Sequence, residues 1–174
     1  MRNLSAYRGL PRPLTARLVS ALAGLALLAT AAPAPAQTAT FAAVVNTATG
    51  GSGSSPTSVA VADVNGDGKP DALLANVNTS TLAVLLGNGA GGFTLQAASP
   101  STGGNATSPT SVAVADVNGD GKPDALLANS GSSTLAVLLG NGAGGFTLQA
   151  ASPSTGGSGS SPHSVAVADV NGDG

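Results

Sequence analysis

Every acidic residue in this chain is an aspartate, and all eight fall within copies of one nine-residue pattern. Asp63-Val64-Asn65-Gly66-Asp67-Gly68-Lys69-Pro70-Asp71 recurs letter for letter at Asp116 to Asp124 and begins a third time at Asp169. Oxygen-bearing side chains stand at its first, third, fifth and ninth places: Asp63, Asn65, Asp67 and Asp71. Gly68 holds the sixth place, where a loop folding around an ion turns sharply. Alternate residues of a tight loop can point inward together, and carboxylate, amide and backbone oxygens suit a hard cation such as Ca²⁺. The pattern reads as a calcium loop. Lys69 would offer its backbone carbonyl at the seventh place, with its ammonium directed to water.

Two other readings compete. An EF-hand needs a bidentate Glu at the twelfth place and flanking helices. The twelfth place here is Leu74 (Leu127 in the second copy), and the chain has no Glu. That excludes the EF-hand. A solvated Asn-Gly/Asp-Gly hairpin turn is the plainer alternative, since both dipeptides form turns without a metal. The distribution of charge weighs against it. Charges that only keep a surface soluble are interspersed, and like charges this close repel unless a cation lies among them.

Elements must position these residues, and the first stretch of chain is not among them. Arg2, Arg8, Arg12 and Arg17 form a basic region, Leu18 to Ala32 an apolar one, and Ala34-Pro35-Ala36 a small-residue cleavage site. Residues 1–36 read as a secretory signal peptide cleaved near Ala36. The apolar run is short of the ~20 residues of a membrane span, so no span is expected in the mature chain. That chain keeps Lys69 and Lys122 against eight aspartates, a formal charge of −6. It lacks a basic patch and has few aromatics, so nucleic-acid binding is not expected. Without cysteine, disulfides and thiolate metal sites are excluded. A small exported domain must then be held by packing, metal or assembly.

The aspartate loops recur at a spacing of 53 residues. One unit runs 58–110, a second 111–163, and a third starts at 164 and stops at 174; residues 37–57 resemble the tail of a preceding unit. Within a unit, Ser58-Val59-Ala60-Val61-Ala62-Asp63 alternates with a two-residue period. Ala72 to Asn76, Thr81 to Leu86 and Phe93 to Ala97 supply three further short apolar runs between Gly, Asn and Ser turns. Ala72 to Ala75 alone would also permit helix, but Gly and Pro recur too often for a helix of useful length. Four strands per unit read as an antiparallel meander. Both faces are apolar, so each sheet needs neighbours like itself. The expected class is all-β: four-stranded propeller blades, in an incomplete ring of two full and two partial repeats. A β-solenoid is the rival, but its repeats are usually shorter. Propellers close with ~4–8 blades, so a longer parent chain is expected, with further repeats closing the ring.

The order Val-Ala-Asp-Val-Asn-Gly-Asp-Gly-Lys-Pro-Asp, followed by Leu-Leu-Gly-Asn-Gly-Ala-Gly-Gly-Phe, resembles the FG-GAP/VCBS-type repeats of bacterial exported proteins. These are similar to the propeller repeats of integrin alpha subunits. The resemblance covers nearly all the chain after Phe41 and implies Ca²⁺ in the hairpin between the first two strands of each blade. By position, the implied ligands are Asp63, Asn65, Asp67, Lys69 (backbone) and Asp71, then Asp116, Asn118, Asp120, Lys122 (backbone) and Asp124. Asp169, Asn171 and Asp173 match only the first half of a third loop.

Other motifs carry less. Gly87, Gly89 and Gly92 spell a dinucleotide fingerprint, repeated at Gly140, Gly142 and Gly145. That fingerprint must open a helix, whereas Phe93-Thr94-Leu95 continues as strand, so a glycine turn is the better reading. His163, the only histidine, stands beside Pro162 where the previous unit has Thr110, and reads as a surface loop residue. Asn78-Thr79-Ser80 and Asn105-Ala106-Thr107 fit a glycosylation pattern, one that Ser/Thr-rich chains match by chance. No catalytic set emerges, and an enzyme is not expected. The resulting expectation is a secreted or cell-surface calcium-binding module for adhesion, ligand binding or display, facing an extracellular protein or carbohydrate. The alternative is an accessory propeller segment of a secreted hydrolase whose catalytic domain lies elsewhere.

Overall fold

Alternation of Val with Ala, bounded by Asn-Gly and Ser/Thr turns, produces short strands that meander. The computed structural model describes residues 46–150 and 152–172. The proposed leader, Phe41 and Asp173 lie outside the described residues. The first blade comprises β1 (Pro56–Ala62), β2 (Asp71–Asn76), β3 (Thr81–Gly87) and β4 (Phe93–Leu95). The second comprises β5 (Pro109–Ala115), β6 (Asp124–Asn129), β7 (Thr134–Gly140) and β8 (Phe146–Leu148). Each is an antiparallel four-stranded sheet in sequence order. The expected all-β class and its four-stranded meanders are what the chain forms; the described residues make two propeller-like blades, not a closed ring. The ambiguous run Ala72 to Ala75 is strand, and the unit boundary at Ser58 falls inside β1.

Register explains how these sheets stack. On one face of the first blade, Val59 lies opposite Leu74 and Leu74 opposite Ala83, beside the row Val61, Ala72, Leu85. The other face carries the rows Ser58, Ala75, Leu82 and Ala60, Leu73, Val84. Large residues therefore alternate with small ones, which lets facing sheets interdigitate. The core lies between the blades: Leu73, Ala75, Leu82 and Val84 of the first meet Val112, Ala125, Leu127, Ala136 and Leu138 of the second. Hydrogen bonds fix the same step. Thr57 Oγ1 donates to the Pro109 carbonyl at 3.0 Å, and the Val112 amide donates to Ser58 Oγ at 3.2 Å.

The Ser/Thr/Gly-rich connection between blades is tied down at its middle. The Leu82 amide donates to the Pro100 carbonyl, and Thr102, fully buried, receives Asn129 Nδ2 on its carbonyl at 2.8 Å. Asn76 does the same for Thr49 at 2.6 Å. These two asparagines, set in apolar runs, are pins for the connections. Their side-chain oxygens have no protein partner.

Candidate metal centre

The nine-residue pattern forms the β1–β2 connection, as the sequence requires. Asp63 follows the last residue of β1, and Asp71 is the first residue of β2. Between them the backbone wraps around its own acidic side chains. Asp63 Oδ1 accepts the Gly66 amide at 2.8 Å and the Asp67 amide at 3.2 Å, while Oδ2 accepts the Gly68 amide at 2.7 Å. Asn65 Oδ1 accepts the Asp67 amide at 3.0 Å, and Asp67 Oδ1 accepts the Lys69 amide at 2.9 Å. The bonds of Asn65 and Asp67, two residues on, are Asx turns, and those of Asp63 reach three to five residues on. Between them Gly66 (φ 75°) and Gly68 (φ 78°) take the left-handed backbone, where a side chain is disfavoured.

The second loop repeats the first almost atom for atom. Asp116 Oδ1 accepts the Gly119 and Asp120 amides at 2.8 and 3.3 Å, and Oδ2 accepts Gly121 at 2.8 Å. Asn118 and Asp120 accept the Asp120 and Lys122 amides at 2.9 and 3.0 Å. The third begins likewise, with Asp169 Oδ1 accepting the Gly172 and Asn171 amides at 2.7 and 3.3 Å.

Amide donors stabilise the ionised carboxylates. The Lys69 amide, then the Lys69 ammonium, holds the Asp67 carboxyl below its usual range. For Asp116 the main cause is the Gly121 amide. Lys69 departs from the expectation that its ammonium faces water. Nζ turns back to Asp67 Oδ2 at 3.1 Å, and Lys122 does the same to Asp120 at 3.4 Å. The stems lie against Gly89 and Gly142, where an added Cβ would come within 3.1 and 3.2 Å of Cδ. That surface guides the ammonium back over the loop.

Asp71 and Asp124 stand apart from the other acids because they are fully buried. Asp71 Oδ2 accepts the Val64 amide at 3.0 Å, and Oδ1 accepts the Gly87 amide at 2.8 Å. Asp124 holds Val117 and Gly140 at 3.1 and 2.8 Å. One carboxylate thus ties the start of the loop to the end of β3. Gly87 and Gly140 lie so close to the Pro70 and Pro123 carbonyls that a Cβ there would collide. This clasp was invisible in the sequence, since residues 16 apart are joined only by the sheet register.

The glycine-rich segments at Gly87 and Gly140 are hairpin turns rather than phosphate loops. Asn88 Oδ1 accepts the Ala90 and Gly92 amides at 2.8 and 2.9 Å, and Asn141 repeats this. Asn88 and Asn141 organise these turns, a role their place before Gly could have suggested. His163 is exposed, as its linker position implies.

The donors fit a hard cation in kind. Asp63, Asn65 and Asp67 bring only oxygens to one short loop, and a carboxylate offers about four lone-pair positions. Among the described residues no three acidic or imidazole side chains form a ready metal cluster. Asn65 supplies an amide instead, Asp71 is engaged with amides, and Lys69 is the positive group beside Asp67.

A family profile described as FG-GAP-like repeat matches residues 67–127 and again 116–174, together more than half the chain. The chain belongs to the FG-GAP-like repeat family. No curated protein and no solved structure matches it. As an FG-GAP-like protein it is a repeat module, and its two matches overlap across the second aspartate loop. Among the described residues, no helix is long and apolar enough to cross a membrane.

Proposed function

We propose that this chain is an exported FG-GAP-like module whose β1–β2 loops bind Ca²⁺, and that it serves adhesion, ligand binding or surface display outside the cell. The observation that carries the reading is the identical inward turn of Asp63, Asn65 and Asp67 in one loop and Asp116, Asn118 and Asp120 in the next. Bound metal supplies positive charge where these carboxylates crowd. Asp63, Asn65 and Asp67 would hold it, with the Lys69 carbonyl and the remaining lone pairs of Asp71; Asp116, Asn118, Asp120, Lys122 and Asp124 would do so in the second loop. Asp169, Asn171 and Asp173 would begin a third such site. Lys69 and Lys122 act as internal counter-ions that yield Asp67 and Asp120 when the cation arrives. This makes the loop pre-folded.

Extracellular calcium modules bind at ~10⁻⁴–10⁻³ M, and at millimolar Ca²⁺ a site of ~10⁻⁴ M affinity adds roughly 1.4 kcal/mol. Calorimetric titration with Ca²⁺ tests the reading. Heat saturating at two or more sites is expected, with a melting midpoint that rises with Ca²⁺ and returns on chelation. Absence of both effects removes the metal from the account.

A further inference from the structure

We propose that the two glycine hairpin turns are sites of spontaneous covalent modification, at which Asn88 and Asn141 cyclise onto the following glycine and lose their side-chain nitrogen as ammonia. Asn-Gly occurs five times in the chain, three times in the aspartate loops and twice in these turns. The dipeptide suits the reaction because glycine carries no Cβ to obstruct its own nitrogen. The structure separates the two groups. In the first aspartate loop the Gly66 amide donates to Asp63 Oδ1 at 2.8 Å, and in the second Gly119 donates to Asp116 Oδ1 at 2.8 Å. The proton that must leave is therefore held by a carboxylate, and the anion formed there would face like charge. Among the described residues, Asn65 Oδ1 accepts one amide, at 3.0 Å, and Asn118 Oδ1 accepts one, at 2.9 Å.

The turns differ at both reacting groups. Among the described residues, nothing accepts the Gly89 or Gly142 amide. Asn88 Oδ1 accepts two amides, from Ala90 and Gly92 at 2.8 and 2.9 Å, and Asn141 Oδ1 accepts those of Ala143 and Gly145 at 2.8 and 3.0 Å. Both asparagines are exposed to water. The oxygen that gains negative charge as the ring closes thus already faces two N–H donors, the arrangement that stabilises an oxyanion. In the reaction the Gly89 nitrogen gives its proton to hydroxide and attacks Cγ of Asn88. The new C–N bond closes a cyclic imide, and Nδ2 takes a proton from water and leaves as ammonia. Water then opens the imide at either carbonyl, so one water is consumed for each ammonia released and the product is aspartate or isoaspartate. Isoaspartate adds one carbon to the main chain, inside a turn closed by the Asn88 amide on the Gly92 carbonyl at 2.9 Å. In the second blade the same turn donates the Gly144 amide to the Val64 carbonyl at 3.0 Å, so a change there reaches the first aspartate loop.

Incubating the whole chain in mildly alkaline buffer, with chelator so that metal has no part in the outcome, and mapping its peptic peptides by mass reads each site. Replacement of NH₂ by OH marks conversion. Asn88 and Asn141 should convert at least about tenfold faster than Asn65 and Asn118, and the four rates should converge in guanidinium chloride. Ala90→Pro removes one of the two donors to Asn88 Oδ1 and should slow that site about tenfold. Asn141 should keep its parent rate in the same chain, as the internal reference. Equal rates at the four sites of the folded chain overturn the proposal. So does a preference that persists unchanged after unfolding, because it then belongs to the local sequence, or an Ala90→Pro chain that converts Asn88 as fast as the parent.

Discussion

The Asp71 carboxylate accepts one amide from the loop it closes and another from the end of β3, out of contact with water. Replacing it with Asn keeps the shape but turns an NH₂ toward one of those N–H groups. A buried donor then faces a donor, which costs about 2–3 kcal/mol. Asp71→Asn should lower the urea midpoint with little change in slope, while Asp67→Asn, at the exposed tip, should move it far less. This contrast separates the two kinds of aspartate that the sequence presents as equals. Position and residue type made it legible that Asp63, Asn65 and Asp67 share one short turn, where each accepts backbone amides. The partners of Asp71 were not legible, because Gly87 reaches it only through the pairing of β2 with β3. The return of Lys69 onto Asp67 likewise depends on the Gly89 backbone beneath its stem.

Strands were legible wherever Val alternated with Ala, and the Gly and Asn turns marked where each one ends. The buried β2 and β6 lack that alternation, yet their length and their Gly/Pro flanks still exclude a useful helix. What composition alone could not reveal is which glycines are needed for space. Gly87 lacks room for a Cβ against the Pro70 carbonyl, whereas Gly91 has open space around it and only its left-handed backbone (φ 84°) to satisfy. Gly87→Ala should therefore shift the β3 terminus and destabilise by about 1–3 kcal/mol, and Gly91→Ala by about 1 kcal/mol. Chemical unfolding of the two variants side by side checks the order. An equal loss would mean that the clasp at Gly87 yields more readily than its geometry implies.

Over the whole molecule, ionised aspartates held by backbone amides tie stability to pH. Asp67 and Asp116 both have pKa values lowered from 3.8 in the folded chain. Their contribution is therefore present above the ordinary aspartate value and is lost as pH falls through the lowered values. With chelator present, the melting midpoint should be flat between about pH 7 and about pH 5 and fall below about pH 4. A midpoint that rises on acidification would contradict the amide-held loops. The repeat and its meander were legible from the 53-residue spacing, whereas the burial of each copy depends on its neighbour: Val64 is 2 % exposed and its counterpart Val117 42 %. Near-identity of the copies has a further consequence, for how the chain finds this fold. β1 and β5 share the sequence Pro-Thr-Ser-Val-Ala-Val-Ala, so β6 is as good a mate for β1 as β2 is. Eight residues separate β1 from β2 and 61 separate it from β6, a loop-closure advantage of about 2 kcal/mol for the nearer mate. The short aspartate turn thus also acts during folding, as a kinetic guard against strand exchange between copies.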